Sequence, residues 1–304
     1  MPTALITGAS TGIGRATALR LAASGWRVLA GVRELAAGER LAAEAAEAAG
    51  TADGDGRRPG SRGTVTPLTL DVTDAAQIAA ATELVRERTE AGSPDTTGSL
   101  AGGLDALINN AGIALGGPLE LVEQEDWRRQ FEVNVFGQVA VTRALLPALR
   151  EARGRIVFVS SVGGRVSVPF NGPYAGSKHA LEAIGDALRG ELRGMRVAVS
   201  LIEPGSVKTP IWGKGRETLE AFTVPPELEE QYGTVPAAFG KVLSDSERRG
   251  VAPEQVAAAI EHALTARRPR ARYVVGRDAR ALMLMRTLLP TGAFDRVIRR
   301  VLGV

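Results

Sequence analysis

The chain has 304 residues, with 44% hydrophobic but only 4% aromatic content, which points to a core of Ala, Val, Leu and Ile built from Ala-rich helices on Val- and Ile-rich strands. It has no cysteine, which excludes disulfides, thiolate metal centres and cysteine nucleophiles. The net charge of +3 hides an asymmetry: from Arg248 to Val304 there are 12 arginines against 4 acidic residues, so the rest of the chain is acidic. No groove-reading motif or aromatic stacking platform accompanies this basic end, so it reads as a solvated face and nucleic acid is not an expected partner.

A strand starting at Thr3 leaves no room for a signal peptide ahead of it. No run of about 18 apolar residues occurs either, so the expectation is a cytoplasmic protein without a spanning helix. Ala4-Leu5-Ile6 leads into the glycine-rich turn Thr7–Gly14, and Arg15–Ala23 follows with helical periodicity. Strand Arg27–Val32, helix Glu34–Ala49, strand Thr64–Leu70, helix Ala75–Glu90 and strand Leu104–Ile108 continue the alternation. A long helix Glu125–Arg150, strand Arg155–Val159, a helix from Tyr174 to about Arg193 and strand Arg196–Ile202 extend it. This rhythm predicts one α/β domain over 1–304, doubly wound, with a parallel sheet of about seven strands and helices on both faces.

Thr51–Gly63 and Ala91–Gly103 are crowded with Gly, Ser, Thr, Asp and Pro and read as loop insertions. The segment from Gly213 to Gly250, with Pro225, Pro226 and Phe239, breaks the rhythm after the sixth strand. It reads as a substrate lid over the carboxyl edge of the sheet. In the basic C-terminal segment, about 279–304, Phe294, Val297, Ile298, Val301 and Leu302 share a helix face, with Arg296, Arg299 and Arg300 elsewhere on the wheel. Such a face suits peripheral contact with an anionic membrane, a cap on a substrate pocket or a subunit interface.

Tyr174 and Lys178 stand four apart, on one face of a helix, where an ammonium can lower the pKa of a phenol and fit it for proton exchange. Gly8, Gly12 and Gly14 fall in a strand-to-helix turn, where glycine lets the backbone approach a pyrophosphate and the helix N-terminus favours negative charge. With the Asn109-Asn110-Ala111-Gly112 segment after the fourth strand, Asn134, Ser160-Ser161 and Pro204-Gly205, these motifs point to a nicotinamide-dependent oxidoreductase. His179 and His262 make no metal or triad case, and no metal site is expected. Glu182 and Asp186, also four apart, read as a solvated helix face.

The spacing of these motifs, with Ser161 thirteen positions before Tyr174, resembles the short-chain dehydrogenase/reductase family from about Thr3 to Thr209. Val159–Arg165, Pro169–Asn171 and Ile202–Thr209 are most similar to its retinol and 17β-hydroxysteroid dehydrogenase branch. The resemblance implies a Rossmann fold and a catalytic set of Asn134, Ser161, Tyr174 and Lys178. Tyr174 would be the general acid/base at the substrate oxygen, and Ser161 its hydrogen-bonding partner. Lys178 would bind the nicotinamide ribose, and Asn134 would hold a water linking Lys178 to solvent. It places the cofactor along Gly8, Ser10, Thr11, Gly12, Ile13 and Gly14, with Asp71 and Val72 beside the adenine and Asn110, Ala111 and Gly112 under its ribose. Pro204, Gly205, Val207 and Thr209 would meet the carboxamide, and Asn109 would fasten the strands. The second strand ends at Arg33 with no acid before Glu34, which favours NADP over NAD.

The substrate implied is a small hydrophobic secondary alcohol or carbonyl compound, steroid-, retinoid- or lipid-like. The strip Gly176, Ala180, Ala183 and Ala187 implies a homodimer or homotetramer. A catalytically idle dinucleotide-binding redox sensor or scaffold is the alternative, and the complete set of proton-transfer groups argues against it.

Overall fold

The structure, a computed structural model, describes residues 1–50, 63–90, 103–210 and 224–303. The loops read at Thr51–Gly63 and Ala91–Gly103, apart from their final glycines, lie outside these residues, as does the first part of the segment read as a lid. The alternation predicted from sequence is present as β1 (Thr3–Thr7), α1 (Gly12–Ala23), β2 (Arg27–Val32), α2 (Leu35–Gly50), β3 (Thr64–Thr69), α3 (Ala75–Glu90) and β4 (Ala106–Asn109). Helix α4 (Gln124–Phe131), a π-helical turn (Glu132–Phe136), α5 (Gly137–Glu151), β5 (Arg155–Val159), α6 (Gly172–Glu191) and β6 (Ala198–Pro204) follow. The C-terminal part comprises α7 (Val235–Arg249), α8 (Pro253–Thr265), β7 (Arg272–Val275), α9 (Arg277–Leu288) and α10 (Thr291–Leu302).

The described strands form one sheet in the order β3-β2-β1-β4-β5-β6-β7, every neighbouring pair parallel. Both faces are buried. Along β1, Ala4 and Ile6 join the core shared with α1 and α8, whereas Leu5 points into the core shared with α3, α5 and α6. Along β5, Val157 and Val159 go one way and Ile156 and Phe158 the other. Strands covered on both sides read as unbroken apolar runs, and each fully buried Leu, Ile or Phe contributes about 1.5–3 kcal/mol relative to an exposed one.

Of the boundaries that differ from the sequence reading, three have a clear physical cause. Helix α1 starts at Gly12, because glycine, a poor interior helix former, is tolerated in a first turn whose N–H groups have no intrahelical acceptor. The long helix after residue 124 is interrupted by the π-turn that holds Asn134. Strand six begins at Ala198, since Arg196 takes a left-handed φ of 60° at the turn before it.

The chain order reverses between β1 and β4, so a crevice opens above the carboxyl ends of these strands. The C-terminal helices α9 and α10 cross beside it. Phe294 and Ile298 of α10 are buried against Val166, and Arg286 of α9 lies over the Phe294 ring. Phe294 and Ile298 of the amphipathic C-terminal face are therefore turned toward their own chain, while Val297 and Val301 remain exposed.

Candidate active site

A cleft of about 1910 Å³ runs across the carboxyl edge of the sheet. Gly8, Ser10, Thr11, Gly12 and Ile13 line one end, with Arg33 after β2, Asp71 and Val72 after β3, and Asn110–Gly112 after β4. Gly8 and Gly12 have φ of +64° and +54°, a region L-residues rarely adopt. Gly14 does not line the cleft; a Cβ there would stand 2.6 Å from Asn110 Nδ2 and closer still to Gly8 O, so it serves the packing of the turn. Thr11, the α1 N-cap, makes no side-chain capping bond, which leaves the first-turn N–H groups available to an anion.

The turn is tied to β4 by side chains. Thr7 Oγ1 accepts from the N–H groups of Asn110 and Ala111, both at 3.0 Å, and Asn110 Nδ2 donates to Thr7 O and Gly8 O, both at 2.9 Å. Asn110, rather than Asn109, is thus the residue that fastens the strand ends. Asn109 instead donates to Thr142 of α5 at 2.9 Å.

At the centre of the cleft, Ser161, Tyr174 and Lys178 come together from the end of β5 and the first two turns of α6. Ser161 Oγ accepts from Gly163 N at 3.0 Å, which fixes its orientation, and the hydroxyl stands close enough to the Tyr174 phenol to favour its charged form. Lys178 is 4% exposed; its Nζ donates to Val159 O at 2.8 Å and lies 5.8 Å from the Tyr174 ring centre. Burial brings the Lys178 pKa down to about 8, opposed by the negative charge of Glu182. Burial also raises the Tyr174 pKa, with the nearby Ser161 hydroxyl acting the other way. The expectation that Lys178 holds the phenol below its usual range is therefore not met, because desolvation outweighs the lowering effect of the Ser161 hydroxyl.

Asn134 is fully buried behind this group and does not line the cleft. Its Oδ1 accepts from Ile113 N at 2.8 Å, and its Nδ2 donates to Ile113 O at 3.0 Å and Ser177 Oγ at 3.1 Å. The side chain thereby pins the loop after β4 to α6. Pro204, Gly205, Val207 and Thr209 close the near side, and the Thr209 methyl would lie 3.0 Å from a Cβ on Gly12.

The other half of the cleft is apolar: Val166, Val168, Leu282, Met285, Ile298 and Val301 line it, and Phe239 of α7 reaches in against Gly116. Sequence reasoning singled out Phe239, Ile298 and Val301. The rest carry no motif and belong to the cleft only because α9 and the loop after β5 meet there. Asp278, also missed, accepts from Ser206 N at 2.7 Å and braces the Gly205 loop.

A further reading is corrected. Glu182 is not on a solvated face: it is 5% exposed and its Oε2 lies 3.0 Å from Arg272 Nε, while Asp186 Oδ2 meets Arg272 at 2.7 Å. The periodicity of α6 places Glu182 one turn beyond Lys178, on the side that faces the sheet, and only the arrival of β7 supplies its cation. Gly176, in the strip read as a subunit contact, faces Phe131 of its own chain. Among the described residues no cluster of His, Cys, Asp or Glu could hold a metal ion, and no helix is long and apolar enough to cross a membrane.

A parallel sheet in this order, a glycine-rich turn at its switch point and a Ser, Tyr and Lys cluster beside it define a dinucleotide-binding oxidoreductase class. Residues 2–220 match the family model described as short chain dehydrogenase, and the chain belongs to that family, whose members are NAD(P)-dependent and act on CH–OH and C=O groups. It is 34% identical over 299 residues to an NADPH-dependent 3-dehydrocapnine reductase of Ornithobacterium rhinotracheale, covering 97% of this chain and 95% of that protein. It is 36% identical over 310 residues to retinol dehydrogenase 5 of Mus musculus, covering 98% and 87%, which sets it in the retinol dehydrogenase branch. A short-chain dehydrogenase/reductase from Burkholderia phymatum, solved in complex with NAD, superposes with a TM-score of 0.74 at 27% identity, covering 94% of this chain and 92% of that one.

Proposed function

We propose that the protein interconverts a hydrophobic ketone and its secondary alcohol, with NADP as the preferred cofactor and Tyr174 as the general acid/base. The observation that carries this reading is the position of Ser161, Tyr174 and Lys178 where a polar, glycine-lined half of the cleft meets an apolar half. A substrate carbonyl seated there has its oxygen beside two hydroxyls and the rest of its body against Val166, Leu282, Met285 and Ile298.

The residues present fit a dinucleotide. Gly8 and Gly12 present backbone in place of side chains, the first turn of α1 offers free N–H groups, and the loops after β3, β4 and β6 leave a continuous trough. A bound nicotinamide dinucleotide would supply or take the hydride. Arg33 lines the end of the trough beyond β2, where a 2′-phosphate would lie, and its fork of donors suits that group. Arg15, at the same end, is already paired with Glu44. The similarity to an NADPH-dependent reductase supports the same preference.

In the reducing direction Tyr174 gives its phenolic proton to the carbonyl oxygen as hydride reaches the carbonyl carbon, and Ser161 donates a hydrogen bond to that oxygen. The raised pKa of Tyr174 keeps the phenol protonated at neutral pH, ready to act as an acid. With its pKa at about 8, Lys178 is cationic at neutral pH and offsets the charge left on the phenolate. In the oxidising direction Tyr174 must first lose its proton, so alcohol oxidation should rise with pH.

Phe239 of α7 lines the apolar half, which supports the lid reading for that helix. The test is turnover by the purified protein with NADPH and with NADH against a panel of apolar ketones and their alcohols. NADPH-linked reduction of apolar ketones is the expected result. No turnover of any panel member with either cofactor overturns the reading.

A further inference from the structure

Beneath the Ser161, Tyr174 and Lys178 cluster lies a set of buried charges that the proton-transfer chemistry does not itself use. Glu203, the penultimate residue of β6, is fully buried, and Glu182 of α6 nearly so. Arg272, the first residue of β7, bridges them: its Nε is 3.0 Å from Glu182 Oε2 and 3.1 Å from Glu203 Oε1. Arg165, just past the turn that follows Ser161, donates to the same Glu203 oxygen at 3.0 Å. Glu182 Oε1, Glu203 Oε2 and the Ser160 hydroxyl are all buried without a hydrogen-bond partner. Burial raises the Glu182 pKa and the charge of Glu203 adds to this, while the nearby Ser160 hydroxyl and Arg272 favour the charged form; Ser160 itself stands short of hydrogen-bonding geometry.

Two buried carboxylates held by the partly exposed Arg272 and, at Glu203, by Arg165 as well, each with an oxygen left over, are an expensive arrangement. A scaffold that needed only packing would place apolar side chains there. What the set touches gives it a use. Arg165 belongs to the loop of Ser161, Glu182 to the helix of Tyr174 and Lys178, and Glu203 leads into Pro204 and Gly205, so the charges join the three segments that form the centre of the cleft. A Cβ on Gly164, in the turn after Ser161, would come within 2.9 Å of Ser160 Oγ and 3.0 Å of Glu182 Cγ, so that turn is seated directly on Glu182.

Lys178 has few charged neighbours of its own. Tyr174 and Glu182 flank it on α6, the neutral Ser160 and Ser161 approach from β5, and the neutral Asn134 stands behind it from the π-turn. Glu203, Arg272, Arg165, Asp186 and Arg189 form the ring beyond. We propose that Glu182, clamped by Arg272, is a positioning residue that holds the positive charge on buried Lys178 and locks its helix in register with the Ser161 and Gly205 loops. This rests on the reading of Lys178 and Tyr174 as the proton-transfer pair, but it makes a claim about Lys178 that can be measured without turnover.

The experiment is a titration of the cofactor-free protein with isotopically labelled lysine, followed by NMR, comparing wild type with Glu182→Gln. Glutamine keeps the shape and an acceptor for Arg272 but removes the charge. The wild-type Lys178 midpoint should lie at about 8 and that of the variant about one pH unit lower, and the falling limb of its turnover–pH profile should shift in the same direction. Glu182→Asp, which restores the charge, should return the midpoint toward wild type. A folded Glu182→Gln protein whose Lys178 midpoint does not move overturns the proposal. Should that variant not fold, the wild type still decides the matter: the Glu182 carboxyl carbon must shift as Lys178 titrates, and a carbon silent through that range overturns the proposal equally. Full turnover in Tyr174→Phe would instead refute the catalytic reading and leave the Lys178 and Glu182 coupling standing.

Discussion

The two halves of the cleft are built by opposite means. The dinucleotide half is backbone: short loops after β1, β2, β3 and β4, with glycines where a side chain would intrude and Thr7 and Asn110 stitching one loop to the next. The substrate half is side chain: Val166 from the loop after β5, Phe239 from α7, Leu282 and Met285 from α9, and Ile298 and Val301 from α10. A backbone cradle tolerates little change, because each peptide group has one allowed path. A wall of apolar side chains tolerates exchange of one hydrophobe for another at modest cost. On the proposed function, one half would recognise a constant ligand and the other could be retuned.

Tyr174→Phe tests the boundary between the halves and should have the largest effect. Turnover should fall by about two to four orders of magnitude while cofactor binding, read by fluorescence titration, stays near wild type. Arg33→Asp tests the far end of the backbone half. NADPH should bind about ten- to a hundredfold more weakly, with NADH little changed, and equal weakening of both would remove the NADP preference. Gly14→Ala tests the cradle itself: with Gly8 O and Asn110 in the way of a methyl group, it should cost about 1–3 kcal/mol in thermal or denaturant unfolding and weaken both cofactors. Val301→Ala, on an exposed residue at the rim of the wall, should do least. The KM for apolar ketones should rise several-fold, by about 1 kcal/mol, with turnover of a small ketone unchanged. If Val301→Ala damaged cofactor binding as much as Gly14→Ala, the division of the cleft into two independent halves would fail.

The backbone half was legible in the sequence because its chemistry is local. A tight turn needs glycine at fixed offsets, a ligand-facing helix start follows within a few residues, and a Tyr and Lys four apart must share a helix face. Ser161 was marked by the family resemblance, through its spacing from Tyr174, and not by local chemistry. Sequence also marked Asn134, but not that its side chain is spent on Ile113 and Ser177, since those partners are set by the π-turn.

The amino-acid sequence by itself determined the order of strands and helices, the two-sided core and the glycine-rich turn, because each follows from periodicity and from the backbone freedom of single residues. Only the tertiary structure decided that Glu182 is buried, that Arg272 arrives 90 residues later to meet it, and that α9 and α10 fold back to line the apolar half. A charge on a helix reads as solvated until something covers it. Burial is a property of what packs against a residue, and here the covering elements come from the distant C-terminal end of the chain.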